Sequence, residues 1–261
     1  MILGLDIGIS STKLALLEGD GRIADTGIWE GTFSPEILCG RSGFSGIEKV
    51  ALTGVGGKSL GDSLCGIPAV KVDEFDANAA AGRIVRPSGK CIVVSMGTGT
   101  SFVLLDGEKS EHLGGSALGG GTLISLFHLA VPGGDWALLR SLAPKGDLSR
   151  VDIQIGDVCT EGVPGLPPDI TASNLGKATM NSCREDLTAG LVNIVLQNIG
   201  VMACLAGKAR GVRDFVLIGR LASLPLADRI FARLETLHGV RFIIPELPEY
   251  MTAAGAAASV L

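Results

Sequence analysis

The chain has 261 residues, enough for one large domain or two smaller ones. Its 46% hydrophobic content and 38 glycines suit a packed core with many tight turns and exclude intrinsic disorder. A formal charge of −5 without a Lys/Arg cluster, and only 4% aromatic residues, argue against nucleic-acid and membrane-surface partners.

The start carries no basic n-region, and Asp6 interrupts its apolar run, so it does not read as a signal peptide. No window is expected to supply an uninterrupted membrane span. Six cysteines, at 39, 65, 91, 159, 183 and 204, form no CxxC pair, and histidines occur only at 112, 128 and 238. Zinc or iron–sulfur ligation by a local motif is therefore unsupported. The cysteines read as reduced, mostly buried thiols of a cytoplasmic protein.

The opening MILGLDIGISSTKLALLE reads as a buried strand from Ile2 to Asp6, a turn over Gly8–Thr12 and a returning strand from Lys13 to Glu18. An aspartate delivered at a strand end is a hard oxygen ligand for Mg²⁺. Gly8 lets backbone N–H groups approach anionic oxygens, Ser10, Ser11 and Thr12 add hydroxyls, and Lys13 adds a positive charge. The same pattern also makes an ordinary hairpin.

Gly19-Asp20-Gly21 is a turn before a third strand over Arg22–Thr26. Residues 31–46 suggest a loop and a short helix. Lys49–Thr53 is a strand running into Gly54-Val55-Gly56-Gly57, and Ile67–Val72 is another. Asp73-Glu74-Phe75-Asp76 opens a helical run over Ala77–Ile84, and Pro87-Ser88-Gly89 marks a boundary. This divides the chain into domains 1–88 and 89–261, with the C-terminal helix able to pack back on the first.

Cys91–Asp106 (CIVVSMGTGTSFVLLD) repeats the opening unit. Gly8 aligns with Gly97 and the Ser/Thr turn with Thr98-Gly99-Thr100-Ser101. On the returning strands, Leu14 aligns with Val103 and Leu16 with Leu105. Two glycine turns facing each other would embrace a nucleotide between domains. The run Leu113–Thr122 feeds a helix over Leu123–Leu129, so its glycine N–H groups are expected to bind an anion or nucleotide, in preference to serving as a flexible linker.

Residues 132–170 read as a surface excursion. Ser182-x-x-Glu185 is a capping box for a long helix over 183–209 closed by Gly211, with Asn198 on its apolar stripe as a core hydrogen-bonder, favoured over an interface residue. Phe215–Gly219 is a strand ending in glycine, followed by a helix over Pro225–Leu237, a strand at Arg241–Ile244 and a small-residue helix over Met251–Leu261. Strands alternate with helices, so the class is α/β.

In this order the segments GLDIGISSTK, TGVGG, VDEFDANAAAG, VSMGTGTS, HLGGSALGGGT, DITASNLGKA, EDLTAGLVNIVLQNIGVMACLA, VLIGRL and TAAGAAASV span nearly the whole chain. They resemble the type II pantothenate kinases, members of the actin-like ATPase superfamily. The resemblance implies a duplicated actin-like (RNase H-like) two-domain α/β fold. It also implies ATP- and Mg²⁺-dependent phosphorylation of pantothenate, the entry to coenzyme A biosynthesis. Asp6 would organise Mg²⁺, while Gly8, Ser10, Ser11, Thr12 and Lys13 hold phosphates. Glu74 would be the catalytic base. Gly97, Thr98, Gly99 and Ser101 belong to the turn that meets phosphate and acceptor, and Gly119, Gly120, Gly121, Thr122 and Gly219 would contact the nucleotide. A homodimer through the 183–209 helix is implied.

One departure stands out. The resemblance places an arginine before the glycine run to hold acceptor and phosphoryl, and here that catalytic and substrate-binding position is His112. Histidine is shorter and only partly protonated at neutral pH. Lys58 or Lys109 could reach in instead, or the acceptor could differ. Two other classes share the core: an ATPase activator of an acyl-CoA dehydratase or reductase, and a non-catalytic homologue binding a nucleotide or a coenzyme A compound. The activators usually carry a cysteine in the second glycine turn. Here Ser95-Met96-Gly97-Thr98-Gly99 has none.

Overall fold

The structure, a computed structural model, describes residues 1–35, 38, 46–159 and 161–261. The expected loop and short helix at 31–46 lie largely outside these.

Two sheets carry the fold. The first is built from β1 (Ile2–Ile7), β2 (Ser11–Leu17), β3 (Ile23–Glu30), β4 (Lys49–Thr53), β5 (Ser63–Leu64) and β6 (Ile67–Lys71), in the order β3-β2-β1-β4-β6-β5. β1 is antiparallel to β2 and parallel to β4. The second contains β7 (Cys91–Met96), β8 (Thr100–Asp106), β9 (Lys109–Ser116), β12 (Asp214–Ile218) and β13 (Arg241–Ile243), in the order β13-β12-β7-β8-β9. A separate two-stranded ribbon pairs β10 (Ile153–Gln154) with β11 (Thr171–Ser173). All six residues of β7 are buried, because it is a central strand covered on both faces.

Six of the helices that position the site and core are α1 (Gly54–Gly57), α2 (Glu74–Val85), α3 (Gly120–Ala130), α4 (Trp136–Leu142), α5 (Ile155–Val158) and α6 (Arg184–Arg210). Two more, α7 (Ala227–His238) and α8 (Met251–Ala258), follow. α8 is built from small residues for a reason: it is wedged between the first sheet and α2. A Cβ on Gly4 of β1 would lie 1.9 Å from the Ala253 carbonyl oxygen, so only glycine admits the helix there. Ala51, Ala77 and Ala256 close the same seam. The pleat of β1 thus divides its work. Leu3, Leu5 and Ile7 fill the outer core of the first sheet, while Ile2, Gly4 and Asp6 look toward α8.

Arg220 ties the sheets together. Its guanidinium meets both oxygens of Glu30 on β3, at 2.7 and 3.2 Å, and lies 4.6 Å from the centre of the Trp136 ring.

Several expectations are corrected. The repeat is real but its register moves by one. Leu5 faces Leu14 and Val94 faces Phe102, so Leu14 corresponds to Phe102 and Leu16 to Leu104. The second turn is one residue shorter than the first. The N-cap of α6 is Cys183, whose sulfur accepts from the Asp186 N–H, while Ser182 accepts from Thr179 N–H. Asn198 is exposed and donates to the Ile194 carbonyl; the buried polar residues of α6 include Asn193, which donates to Asp152. Residues 132–170 are not only surface, since Leu139, Leu142, Leu148 and Val151 enter the core. α6 is long and apolar enough to cross a membrane, with most of that stretch buried inside the protein. Among the described cysteines, only Cys91 and Cys204 are buried free thiols; Cys65 is exposed and disulfide-bonded.

Candidate active site

A cleft of about 360 Å³ opens where the two glycine turns meet. Asp6, Gly8, Ile9 and Lys13 line it from the first hairpin, Val55 from α1 and Glu74 from the start of α2. Ser95 and the turn from Gly97 to Ser101 line it from the second hairpin, with Gly115 and Ser116 from β9.

Strand register explains the convergence. Asp6 and Lys13 are partners across β1 and β2, so their side chains leave the same face of the sheet. Ser95 and Ser101 are partners at the corresponding places of β7 and β8. The cleft therefore has a charged pair on one wall and a hydroxyl pair on the other. Gly54 makes room for the charged pair: its φ is +78°, and a Cβ there would stand 2.8 Å from Asp6 Oδ1 and 2.6 Å from the Ile7 carbonyl oxygen.

Glu74 is the first residue of α2, whose N-cap Asp73 accepts from the Phe75 N–H. Burial raises the Asp6 carboxyl above its ordinary value, with Lys13 opposing. Glu74 is also raised, first by desolvation, then by the negative charges of Asp6 and Asp73, while Lys58 and Lys13 pull the other way. Two carboxylates thus press on one another across the cleft, with lysines moderating them.

Three side chains around this pair keep a buried polar atom without a partner: Thr53 Oγ1, in register with Asp6; Ser101 Oγ, in the cleft wall; and Asn78 Nδ2, one turn beyond Glu74.

Not every expected residue reaches the cleft. Ser10 is exposed and outside the lining, its carbonyl accepting from Gly31 N–H. Ser11 and Thr12 belong to β2 rather than to the turn, and both are buried. Thr12 pairs with Ile7, whose side chain enters the outer core, so it faces away from Asp6 and Lys13. The N–H groups of Gly120 and Gly121 are spent on the carbonyls of Gly97 and Thr98, and Thr122 donates its hydroxyl to Ala117. The N–H groups of Gly120 and Gly121 and the Thr122 hydroxyl therefore brace the second turn and its neighbour instead of pointing free donors at the cleft. Gly219 has φ +94° and donates to Pro248, packed against the Met96 backbone outside the lining. His112 is exposed, its ring stacked on Phe75 at 3.8 Å.

The cleft also takes in Ile9, Val55, Ser95, Thr100, Gly115 and Ser116, to which the sequence motifs assign no role. For Ser95 the signal was present, because the internal repeat aligns it with Asp6.

Two sheets, each opening with a hairpin whose glycine turn faces its counterpart, define the duplicated actin-like ATPase fold. Solved structures agree. An activator of the 2-hydroxyisocaproyl-CoA dehydratase from Clostridium difficile, with bound ADPNP, superimposes with TM-score 0.69 at 20% identity, covering 99% of this chain and 93% of the other. A ROK family glucokinase from Streptomyces griseus, in complex with glucose and AMPPNP, gives 0.61 at 12% identity, with 98% and 97% covered. The Fumble family profile matches residues 82–223, and the chain belongs to that family. A Staphylococcus haemolyticus relative named "Type II pantothenate kinase" is 26% identical over 266 residues, 98% of each chain. One of the same name from Staphylococcus aureus is 28% identical, over 66% of this chain and 68% of its own.

Proposed function

We propose that this chain is a kinase that transfers a phosphoryl group from ATP, with Mg²⁺, to the primary hydroxyl of pantothenate, giving 4′-phosphopantothenate. The names of its relatives support the substrate. The observation that carries the chemistry is Glu74 in one cleft with Asp6, Lys13 and both glycine turns.

Phosphoryl transfer needs positioning and charge neutralisation more than covalent chemistry. Lys13 and the turn amides at Gly97–Gly99 meet the phosphates, while the Gly8 N–H is spent on the Ser11 carbonyl and shapes the first turn. Thr98 and Ser101 orient acceptor and phosphoryl between them. Glu74 accepts the hydroxyl proton, and its raised proton affinity suits a base working near neutral pH. The donor set fits magnesium, which takes one or two carboxylates and completes its shell with waters and substrate phosphates. Asp6 would be that carboxylate, and the bound ion would neutralise phosphate charge. Division at residues 88/89, a cytoplasmic setting and pairing of two copies through α6 belong to the same proposal; Leu205 on that helix is 63% exposed.

A coupled assay of ADP release with pantothenate against a panel of sugars tests it. Pantothenate-dependent release is expected; release with a sugar alone overturns the acceptor. The activator reading has fold likeness behind it, but the turn at 95–99 lacks the expected cysteine. A non-catalytic homologue has only His112 in its favour, and that ring is exposed and stacked on Phe75, outside the cleft lining.

A further inference from the structure

Asn78 is fully buried, and its place in the fold is defined from two sides. Its neighbour Ala77 is locked into the seam with Ala51 and Ala256. Its amide is held by Thr252 of α8, whose Oγ1 lies 2.9 Å from Oδ1. That leaves Nδ2 buried with no partner. A threonine hydroxyl can donate or accept, so turning the amide over only exchanges the unpaired atom. Buried polar groups are nearly always satisfied, and an exception calls for a reason.

The reason lies one turn away. Asn78 follows Glu74 by four residues on α2, the spacing that puts two side chains on one face of a helix. Helical side chains lean toward the N-terminus, which for Asn78 is toward Glu74. We propose that Asn78, clamped by Thr252, is a positioning residue: a turn of the Glu74 side chain brings its carboxyl group onto the free Nδ2, which aims it at the acceptor. This deepens the kinase reading and rests on Glu74 as its base. It also gives α8 a part in the chemistry, since the clamp comes from the helix that covers the first sheet.

The test uses the full chain with Thr252→Val, which keeps shape and removes the hydroxyl, Thr252→Ser, which returns it, and Asn78→Ala. Thr252→Val should lower kcat about tenfold, leave KM for ATP unchanged, and recover in Thr252→Ser. In parallel, the side-chain amide signal of Asn78, identified by its loss in Asn78→Ala, is followed by NMR in the wild type and in Glu74→Ala. It should move when Glu74 is removed. If the wild type phosphorylates no acceptor yet the signal moves, the function is wrong and the positioning contact stands. An Asn78 signal indifferent to Glu74, or a Thr252→Val enzyme with unchanged kcat, overturns the proposal.

Discussion

Asp6 and Lys13 face each other in register across the first hairpin, and the same two places on the second hairpin hold Ser95 and Ser101. A duplicated unit has been made chemically unequal. One wall carries the charges that suit metal and phosphate, and the other carries hydroxyls that suit the acceptor's own hydroxyl without adding a third carboxylate to the cleft. Glu74 enters from α2, outside both hairpins.

Glu74→Gln keeps the shape of the cleft and removes the proton acceptor. Turnover should fall by about 10²–10⁴-fold, the usual worth of a general base. Nucleotide affinity should hold within about twofold of the wild type. ADP release and calorimetric titration with ADP check the two halves, and wild-type turnover would remove Glu74 from its role.

The same substitution has a pH signature in stability. The folded protein holds the Glu74 proton more tightly than the unfolded chain, so stability falls as pH rises from the ordinary 4.5 through the raised folded value. Above the raised folded value that cost is fully present. Glu74→Gln should therefore melt higher than wild type at alkaline pH, with the advantage fading as pH drops through the folded value and gone below 4.5. Thermal melts across pH measure it, and a constant difference would contradict the strained carboxylate pair.

Gly54→Ala should be costly despite its small size. The left-handed backbone and the contact with Asp6 Oδ1 act together. A loss of about 1–3 kcal/mol in stability is expected. Activity should fall further than stability alone explains, since Asp6 must move. A denaturant titration beside an ADP-release assay at varied magnesium separates the two effects.

Arg220→Ala removes the ion pair to Glu30 and the stack on Trp136. The Arg220 side chain is only 19% exposed, so the loss should exceed that of a surface pair, at about 1–2 kcal/mol. Calorimetry should show Tm lower by several degrees.

The strand–turn–strand units were legible because β1 and β7 are short apolar runs cut by glycine, and β4 falls on the expected Lys49–Thr53. Asp6, Glu74, Lys13 and Ser101 do meet. What sequence could not show depended on distant partners. Gly120 looks free until the carbonyl of Gly97, 23 residues earlier, takes its N–H. Thr12 looks like part of a turn until pairing with Ile7 sends it into the core. Register slipped at Leu14 because the second turn is one residue shorter. On α6, with apolar residues around much of its circumference, Asn193 and Asn198 cannot be ranked by spacing alone. Asp152 decides between them.

The wedge formed by α8 has a consequence for how the protein is made. Met251 is translated 180 residues after Lys71, the end of the first sheet. At ribosomal speeds this is a wait of roughly 10–40 s. Throughout it, the face of β1 and β4 that Ala253 and Ala256 will cover has no lid, and Asn78 has no clamp. Nascent chains of this protein are therefore exposed to misassembly longest at the place where the cleft is founded.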